Sequence, residues 1–409
     1  EDEEGVVILE ETPFYAESGG QIGDRGTISG KGFVFDVLDT QKIGDHHGHF
    51  GLVREGNLKI DTKVKAHIDE SFREKIVPNH SATHLLQAAL KKILGDHIEQ
   101  KGSLVGENRL RFDFSHSEQV NAEQIIDIED LVNLQIEKNS KSVTEVMTIE
   151  EATKKGAIAF FGEKYGEEVR VLDLGEGFSV ELCGGTHVKT TGEIGLMKIV
   201  SESGISAGVR RIEAVTGVGA TLLLQELEQN ITSICNELLV DLQPINKDQN
   251  NLDLIRDLQS LLNLLAKELN TSQDQVLKRI IDLKERIVSS ENALGINSEI
   301  RPSSSNLIDT VKELKILIKS LEDESKKIEL QGINTSVVDL KEGSIEIEGY
   351  KLITKSFENI DSNNLRELAD QIRNNETNTI VALISVSGDK IPLIVACSKE
   401  VEIDAREIM

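Results

Sequence analysis

The sequence predicts an α+β protein of several domains, and three observations support this. The chain has 409 residues, more than one ordinary hydrophobic core holds together. Short β-prone runs separated by Gly- and Asp-rich turns dominate its first part, and apolar residues at helical spacing follow in residues 79–95. Leu-rich amphipathic segments fill residues 217–330, and a β/α pattern returns after them.

Residues 1–72 predict a small β-barrel or meander. Its strand candidates are Val6–Leu9, Phe33–Leu38 and Lys63–Ile68. The Gly-rich segment Tyr15–Asp24 is either a tight turn between strands or a loop that approaches a phosphate. It lacks the Lys-Ser/Thr pair of a P-loop, so the sequence leaves both interpretations open.

Residues 73–220 predict an α/β domain with an antiparallel sheet and helices on one face. We expect its first helix to begin after Pro78, with Asn79 as the N-cap, and to end at Gly95. The remaining predicted elements are strands at 102–105, 109–114, 169–174 and 178–182, and a helix at 121–139.

Two short motifs in this region carry metal-ligand side chains at i and i+4. They are His80-Ser-Ala-Thr-His84 and Cys183-Gly-Gly-Thr-His187. On a helix this spacing places both side chains on one face. Three imidazoles and one thiolate suit a tetrahedral Zn²⁺ ion. The alternative is that the histidines are ordinary partly buried side chains and Cys183 a small core residue.

Polar residues near these motifs indicate a reactive pocket around the ion. Thr83 lies inside the first motif, Gln100 and Ser103 follow the predicted helix, and Glu181 precedes Cys183. The alternative is that Ser103 is a turn residue, Gln100 a surface amide and Glu181 a solvated charge. Four protein ligands normally close a structural zinc site, whereas a catalytic site keeps an exchangeable position, and the sequence does not decide between them.

Arg210 and Arg211 form the most prominent basic pair of the chain. Arginine binds phosphate or base edges in a bidentate manner. The alternative is an ion pair with a nearby acid such as Glu213.

Residues 221–330 predict a long helical, coiled-coil-like hairpin, with its break near residues 295–302. Such an arm either mediates a homodimer or folds as a solvated intramolecular pair. Residues 331–409 predict a C-terminal α/β globular domain, truncated at Met409, with strands at 344–349, 379–384 and 391–396 and a helix at 363–373.

Composition constrains the setting in which the protein works. The formal net charge of -26 disfavours nonspecific nucleic-acid binding but permits a local basic groove. Three widely spaced cysteines argue against a disulfide framework and for a reducing, cytoplasmic location. We expect no membrane association, because no apolar stretch is long enough to cross a bilayer.

Several segments together resemble alanyl-tRNA synthetases, most specifically over residues 1–220. The similar segments are Thr12–Asp24, Asn79–Leu86, Gln100–Val105, Arg109–Phe114, Gly162–Tyr165, Glu181–Val188 and Gly208–Ala214. The resemblance implies a C-terminal fragment that holds the editing domain and most of the C-terminal domain. It also implies that the aminoacylation domain is missing, so we expect no ATP site and no ligase activity.

The resemblance implies a zinc-dependent proofreading hydrolase that deacylates tRNA(Ala) mischarged with serine or glycine. It assigns the zinc ligands to His80, His84, Cys183 and His187. It assigns the pocket to Gln100 and, less directly, to Ser103 and Thr83, and the tRNA contact to Arg210 or Arg211. The alternatives are a free-standing editing protein and a structural zinc module that presents a tRNA-binding or dimerisation arm.

Overall fold

The computed structural model of the protein describes residues 3–158, 166–241, 249–296, 306–342, 344–358, 362–386, 391–403 and 405. It confirms a mixed α+β architecture with several antiparallel sheets and, within these ranges, eight α-helices. The chain divides into two compact units, Glu1–Asn230 with Pro244–Ser260, and Ile231–Gln243 with Leu261–Met409. The similar segment Gly162–Tyr165 lies outside the described residues.

The first unit contains twelve of the described strands in three sheets. The strands are β1 (Glu3–Ile8), β2 (Gly26–Gly30), β3 (Phe33–Ile43), β4 (His46–Gly56), β5 (Lys65–Ile68), β6 (Gln100–Val105), β7 (Leu110–Ser115), β8 (Val143–Thr148), β9 (Glu168–Leu174), β10 (Ser179–Leu182), β11 (Met197–Ser206) and β12 (Val209–Thr216). Its helices are α1 (Glu70–Leu94), α2 (Ala122–Glu137) and α3 (Ile149–Lys154).

The N-terminal strands form one antiparallel sheet in the order β1-β4-β3-β2-β5. Phe33, Phe35 and Val37 are buried at alternate positions of β3, as the two-residue period of a strand requires. We predicted a barrel or meander here. In the described residues β1 and β5 are the two edges and no pairing joins them, so the sheet has the open form.

The N-cap of helix α1 lies ten residues earlier than we predicted. It is Asp69, whose carboxylate accepts from the Phe72 N–H at 3.0 Å, and Pro78 lies inside the helix. Proline removes one helical hydrogen bond, but the turns before it are anchored by the buried side chains of Phe72 and Ile76. Asn79 is therefore not an N-cap, and His80 and His84 lie in the middle of a long helix.

Asn79 instead stabilises the helix next to the proline. Its Nδ2 donates to the carbonyl oxygens of Lys75 at 3.2 Å and Gly106 at 2.9 Å, and its Oδ1 accepts from Thr216 at 2.7 Å. Gly106 and Thr216 are distant from Asn79 in the chain, so local helix propensity does not predict these two contacts.

Helix α1 packs into the largest core of the unit. Sheet β11-β12-β7-β6 supplies Leu110, Phe112 and Phe114 from β7, and α1 and α2 lie against this face. Sheet β10-β9-β8 contacts α1 through β9 and β10. Because α1 and β10 are in contact, residues that follow β10 can reach the middle of α1.

The second unit holds most of the helical residues that we predicted. The helices of the remaining chain are α4 (Gly217–Leu238), α5 (Asn251–Leu269), α6 (Val276–Leu294), α7 (Leu307–Glu342) and α8 (Ser362–Asn375). Helices α6 and α7 pack together, and Gly295 ends α6 with a φ of 66°. Most of the predicted hairpin break lies outside the described residues.

The C-terminal part of this unit is a four-stranded sheet with one helix. The strands are β13 (Ile345–Ile347), β14 (Tyr350–Glu358), β15 (Thr379–Val386) and β16 (Leu393–Cys397), in the order β13-β14-β15-β16. Strands β14 and β15 are parallel and connected through α8, whose Leu365 and Leu368 are buried against the sheet. None of the described helices is long and apolar enough to cross a membrane.

Candidate metal centre

The two ligand motifs meet at one place in the first unit. His80 and His84 lie on successive turns of α1, and Cys183 and His187 lie in the segment that follows β10. One ligand atom from each of the four residues lies within 4.8 Å of the other three. His80 and His84 are buried, so the cluster lies inside the domain.

The donor set fits a zinc ion in both chemistry and size. The Cys183 Sγ lies 3.2 Å from His187 Nε2 and 3.6 Å from His80 Nε2. With Zn–S near 2.3 Å and Zn–N near 2.0–2.1 Å, a tetrahedral ion separates sulfur and nitrogen ligands by about 3.6 Å. The Cys183 thiol therefore already lies at nearly the distances from His80 and His187 that a tetrahedral ion imposes.

The outward-facing nitrogens of His80 and His84 have buried hydrogen-bond partners. His80 Nδ1 donates to Gln21 Oε1 at 2.6 Å, and His84 Nδ1 donates to Glu181 Oε2 at 2.5 Å. These bonds place the proton on Nδ1 and leave Nε2 as the ligand atom. Such outer partners fix the orientation of metal-bound histidines and increase their basicity.

His187 has a third partner of this kind, supplied by α1 itself. Its Nδ1 lies 3.2 Å from Ser81 Oγ, and the same hydroxyl oxygen accepts from the Val188 N–H at 3.1 Å. Ser81 thus connects α1 to the segment after β10 at the point where the four ligands converge.

Gln21, in the segment between β1 and β2, contacts the cluster. Besides His80, its Oε1 accepts from the Thr186 N–H at 3.0 Å, and its Nε2 donates to Thr186 Oγ1 at 2.8 Å. The side chain is fully buried, and its backbone forms a bridge with Val105 of β6. The Gly-rich segment Tyr15–Asp24 therefore supplies a residue that contacts a ligand, which neither of our interpretations included.

The turn at Gly184 and Gly185 is held against α1. The Gly185 N–H donates to Cys183 Sγ at 3.4 Å, and its carbonyl accepts from Arg170 Nη1 at 2.5 Å. A Cβ at Gly185 would lie 2.1 Å from His80 Cε1, whereas a Cβ at Gly184 would meet no atom within 4 Å. Glycine is therefore required at 185 but not at 184 on steric grounds.

The electrostatics of the cluster favour a thiolate. Burial raises the pKa of Cys183, but the positive charge of His84 and the nearby His80 outweigh it and lower the pKa well below its usual range. Burial lowers the pKa of His84, yet the charges of Glu181 and Cys183 raise it to about 10. Burial and the nearby His80 lower the pKa of His187 to about 3. Metal binds the thiolate of Cys183 and the neutral form of each imidazole, so His84 has to release a proton when it binds an ion.

A cavity of about 390 Å³ lies beside the cluster. His80 and Cys183 line it from the metal side, and Lys42 and His47 line it from the N-terminal sheet. Two of the four ligands therefore face a space that small molecules can enter.

Gln100, Ser103 and Thr83 are not among the described residues that line this cavity. Gln100 Nε2 donates to Ser103 Oγ at 3.3 Å, and Ser103 Oγ donates to the Gly19 carbonyl at 3.3 Å. Gly19 does line the cavity, so these two residues lie directly behind its wall. Thr83 is buried on α1, and its hydroxyl donates to the Asn79 carbonyl at 2.8 Å.

Arg210 and Arg211 both form bidentate ion pairs. Arg210 binds Glu202 at 2.5 and 2.6 Å, and Arg211 binds Asp113 at 2.7 and 2.8 Å. As neighbours on β12 they point to opposite faces of the sheet. The structure therefore does not bring the two guanidinium groups together.

Sequence reasoning missed Gln21 and Ser81. It placed Glu181 among the polar residues near the ion and kept a solvated charge as the alternative. Glu181 is 1% exposed and contacts a ligand, so the alternative is wrong. A usable signal was its position two residues before Cys183, because alternate residues of a strand share a face.

Two segments of the chain match known family models. Residues 1–72 match the family described as tRNA synthetases class II (A). Residues 169–213, which include Cys183 and His187, match the threonyl and alanyl tRNA synthetase second additional domain. The matches confirm the resemblance to an alanyl-tRNA synthetase fragment, and they indicate tRNA editing in that class of synthetases and tRNA as the partner.

Proposed function

We propose that the chain holds Zn²⁺ at His80, His84, Cys183 and His187 and hydrolyses the ester of tRNA(Ala) mischarged with serine or glycine. The observation that supports this most directly is the four-donor cluster, with its three buried outer partners, at the edge of the 390 Å³ cavity. A site that only stabilised the fold would not need ligands on the wall of a cavity.

The need for such a reaction follows from size discrimination. A synthetic site that accepts alanine cannot sterically exclude glycine, and it rejects the extra hydroxyl of serine only modestly. A second site that hydrolyses the wrong esters corrects both errors. Bound zinc would supply Lewis-acid chemistry, and the chain's own contribution is to hold His80 and Cys183 in fixed orientations at the cavity wall.

We propose Gln100, Ser103 and Thr83 as pocket residues. Their support is the resemblance and, for Gln100 and Ser103, the hydrogen-bonded path to Gly19 on the cavity wall. A Gln100→Ala variant that deacylates seryl-tRNA as fast as the unchanged protein would remove Gln100 from this list.

We propose Arg210 and Arg211 as tRNA contacts on the resemblance alone. Each would have to exchange its carboxylate partner for a phosphate, because both are held in ion pairs. A homodimer through the helical arm, the identity of the tRNA as tRNA(Ala) and a cytoplasmic location are likewise proposals from the sequence.

The test measures loss of the ester bond from Ser-tRNA(Ala), Gly-tRNA(Ala) and Ala-tRNA(Ala) with the zinc-loaded protein. We expect rapid loss of the first two esters, slow loss of the third, and loss of activity in Cys183→Ala and His187→Ala. Cys397→Ala is the matched control, because it removes a thiol outside the cluster. Equal rates for Cys183→Ala and Cys397→Ala would contradict the proposal.

A second candidate is a structural zinc module that presents a tRNA-binding or dimerisation arm. The observation that favours it is the number of ligands, because four protein donors normally close a zinc site. A zinc-loaded protein that deacylates none of the three tRNAs, but unfolds when a chelator removes the metal, would support this candidate over the hydrolase.

A further inference from the structure

The cavity beside the metal cluster has a wall made by the N-terminal sheet. Lys42 on β3 and His47 on β4 lie directly opposite each other in the strand register, and both line the cavity. Cross-strand neighbours of this kind have side chains close together on one face. The sheet therefore presents a compact polar surface toward the space next to His80 and Cys183.

The cavity wall carries two permanent cations, Lys42 and Arg170, in a chain whose net charge is -26. Among its described lining residues, Lys42, Arg170 and His47 are basic and Glu168 is the only carboxylate. Nucleic acid would be repelled by the chain as a whole, so a local basic surface is where an RNA end can approach.

Lys42 differs in its bonding from Arg170, Arg210 and Arg211. Arg170 donates to the carbonyl oxygens of Gly185 and Cys183 and so supports the ligand turn. Arg210 and Arg211 are neutralised by bidentate carboxylates. Lys42 is exposed and donates to Ser18 Oγ at 3.0 Å, and no ion pair involves it in the described part of the chain. An ammonium has three donors, so it can bind a phosphate oxygen while it keeps this bond.

We propose that Lys42 contacts a phosphodiester group of the aminoacylated RNA 3′ end while the ester lies against His80 and Cys183. The inference rests on the proposed function for the identity of the ester. In an aminoacylated RNA the ester and the nearest phosphate lie on opposite sides of one ribose. An ester beside the metal ligands therefore places that phosphate toward the rim of the cavity, and Lys42 lies on the wall that the N-terminal sheet supplies.

The kinetic test compares two substrates that differ in phosphate. Lys42→Ala should raise KM for Ser-tRNA(Ala) about fivefold at near-physiological salt, leave kcat unchanged and reduce the slope of log KM against log salt by about one. The same variant should hydrolyse seryl-adenosine, which has no phosphate, like the unchanged protein. Lys42→Glu should have a larger effect than Lys42→Ala on the tRNA substrate only.

Lys65→Ala is the matched control, because Lys65 is an exposed lysine on β5 of the same sheet. Equal KM values and salt slopes for Lys42→Ala and Lys65→Ala would overturn the inference. An equal loss on seryl-adenosine and on Ser-tRNA(Ala) would also overturn it, because Lys42 would then act on the ester.

A binding measurement separates this inference from the proposed function. The anisotropy of a labelled, uncharged acceptor-stem RNA that ends in a single-stranded 3′ segment reports binding without hydrolysis. Weaker binding by Lys42→Ala than by Lys65→Ala supports the phosphate contact even for a protein that deacylates nothing. Equal binding by the two variants refutes the contact even for an active hydrolase.

Discussion

Gly185→Ala should sharply weaken zinc binding by crowding one ligand. The added Cβ would lie 2.1 Å from Cε1 and 2.5 Å from Nδ1 of His80, and 2.9 Å from Gln21 Oε1. Ordinary contacts of a Cβ begin at 3.4 Å, so the methyl group and the imidazole ring must separate by more than 1 Å.

Neither side of this contact is free to move without loss. Arg170 and Cys183 hold the Gly185 backbone, and His80 is buried on α1 with its Nδ1 bonded to Gln21. A zinc site tolerates ligand distances within about 0.2 Å of the ideal value, far less than the displacement required. Overpacking of this kind costs about 1–3 kcal/mol, which corresponds to a zinc affinity lower by about 5- to 150-fold if the strain falls on the metal site.

The assay is zinc competition against a chromophoric chelator, with unfolding in urea measured on the same samples. Gly184→Ala is the matched control, because its methyl group would meet no atom within 4 Å. We expect Gly184→Ala to bind zinc like the unchanged protein. If Gly185→Ala bound zinc as tightly as Gly184→Ala, the close packing of the ligand turn on His80 would be refuted.

Three further substitutions probe the outer partners and the helix. Glu181→Gln should lower zinc affinity about 10- to 100-fold, because it removes the charge that orients His84. Glu176→Gln, in the adjoining turn, should leave zinc affinity unchanged, and competition with a chelator measures both variants. Arg256→Leu should reduce the free energy of unfolding in urea by about 2 kcal/mol, since it removes two hydrogen bonds from the fully buried Glu129; an unchanged midpoint would contradict this. Pro78→Ala should raise the melting temperature, because alanine restores a backbone N–H donor inside α1 at a position where proline costs about 3 kcal/mol. A lower melting temperature would show that the proline ring itself is needed.

The four candidate ligands were predictable from sequence because their signal is local. Each pair sits four residues apart, and imidazole and thiolate are donors that zinc accepts. That the two pairs meet is confirmed by the structure, but it depends on the contact between α1 and β10. The start of α1 was not predictable, because the local penalty of Pro78 is outweighed by burial of Phe72 and Ile76. Local propensity is a weak guide wherever tertiary packing contributes more free energy.

The outer partners show two different limits of sequence reasoning. Glu181 lies on the strand that leads to Cys183, so strand alternation predicts that it faces the same side, and only the partner His84 comes from the fold. Gln21 lies 59 residues before His80 and carries no local pattern that marks it as a partner. Its bonds to His80 and Thr186 join both ligand-bearing segments to the segment between β1 and β2. The orientation of His80 on α1 therefore depends on a residue whose backbone is held by an isolated β-bridge to Val105, so the candidate metal centre involves more of the first unit than the two motifs.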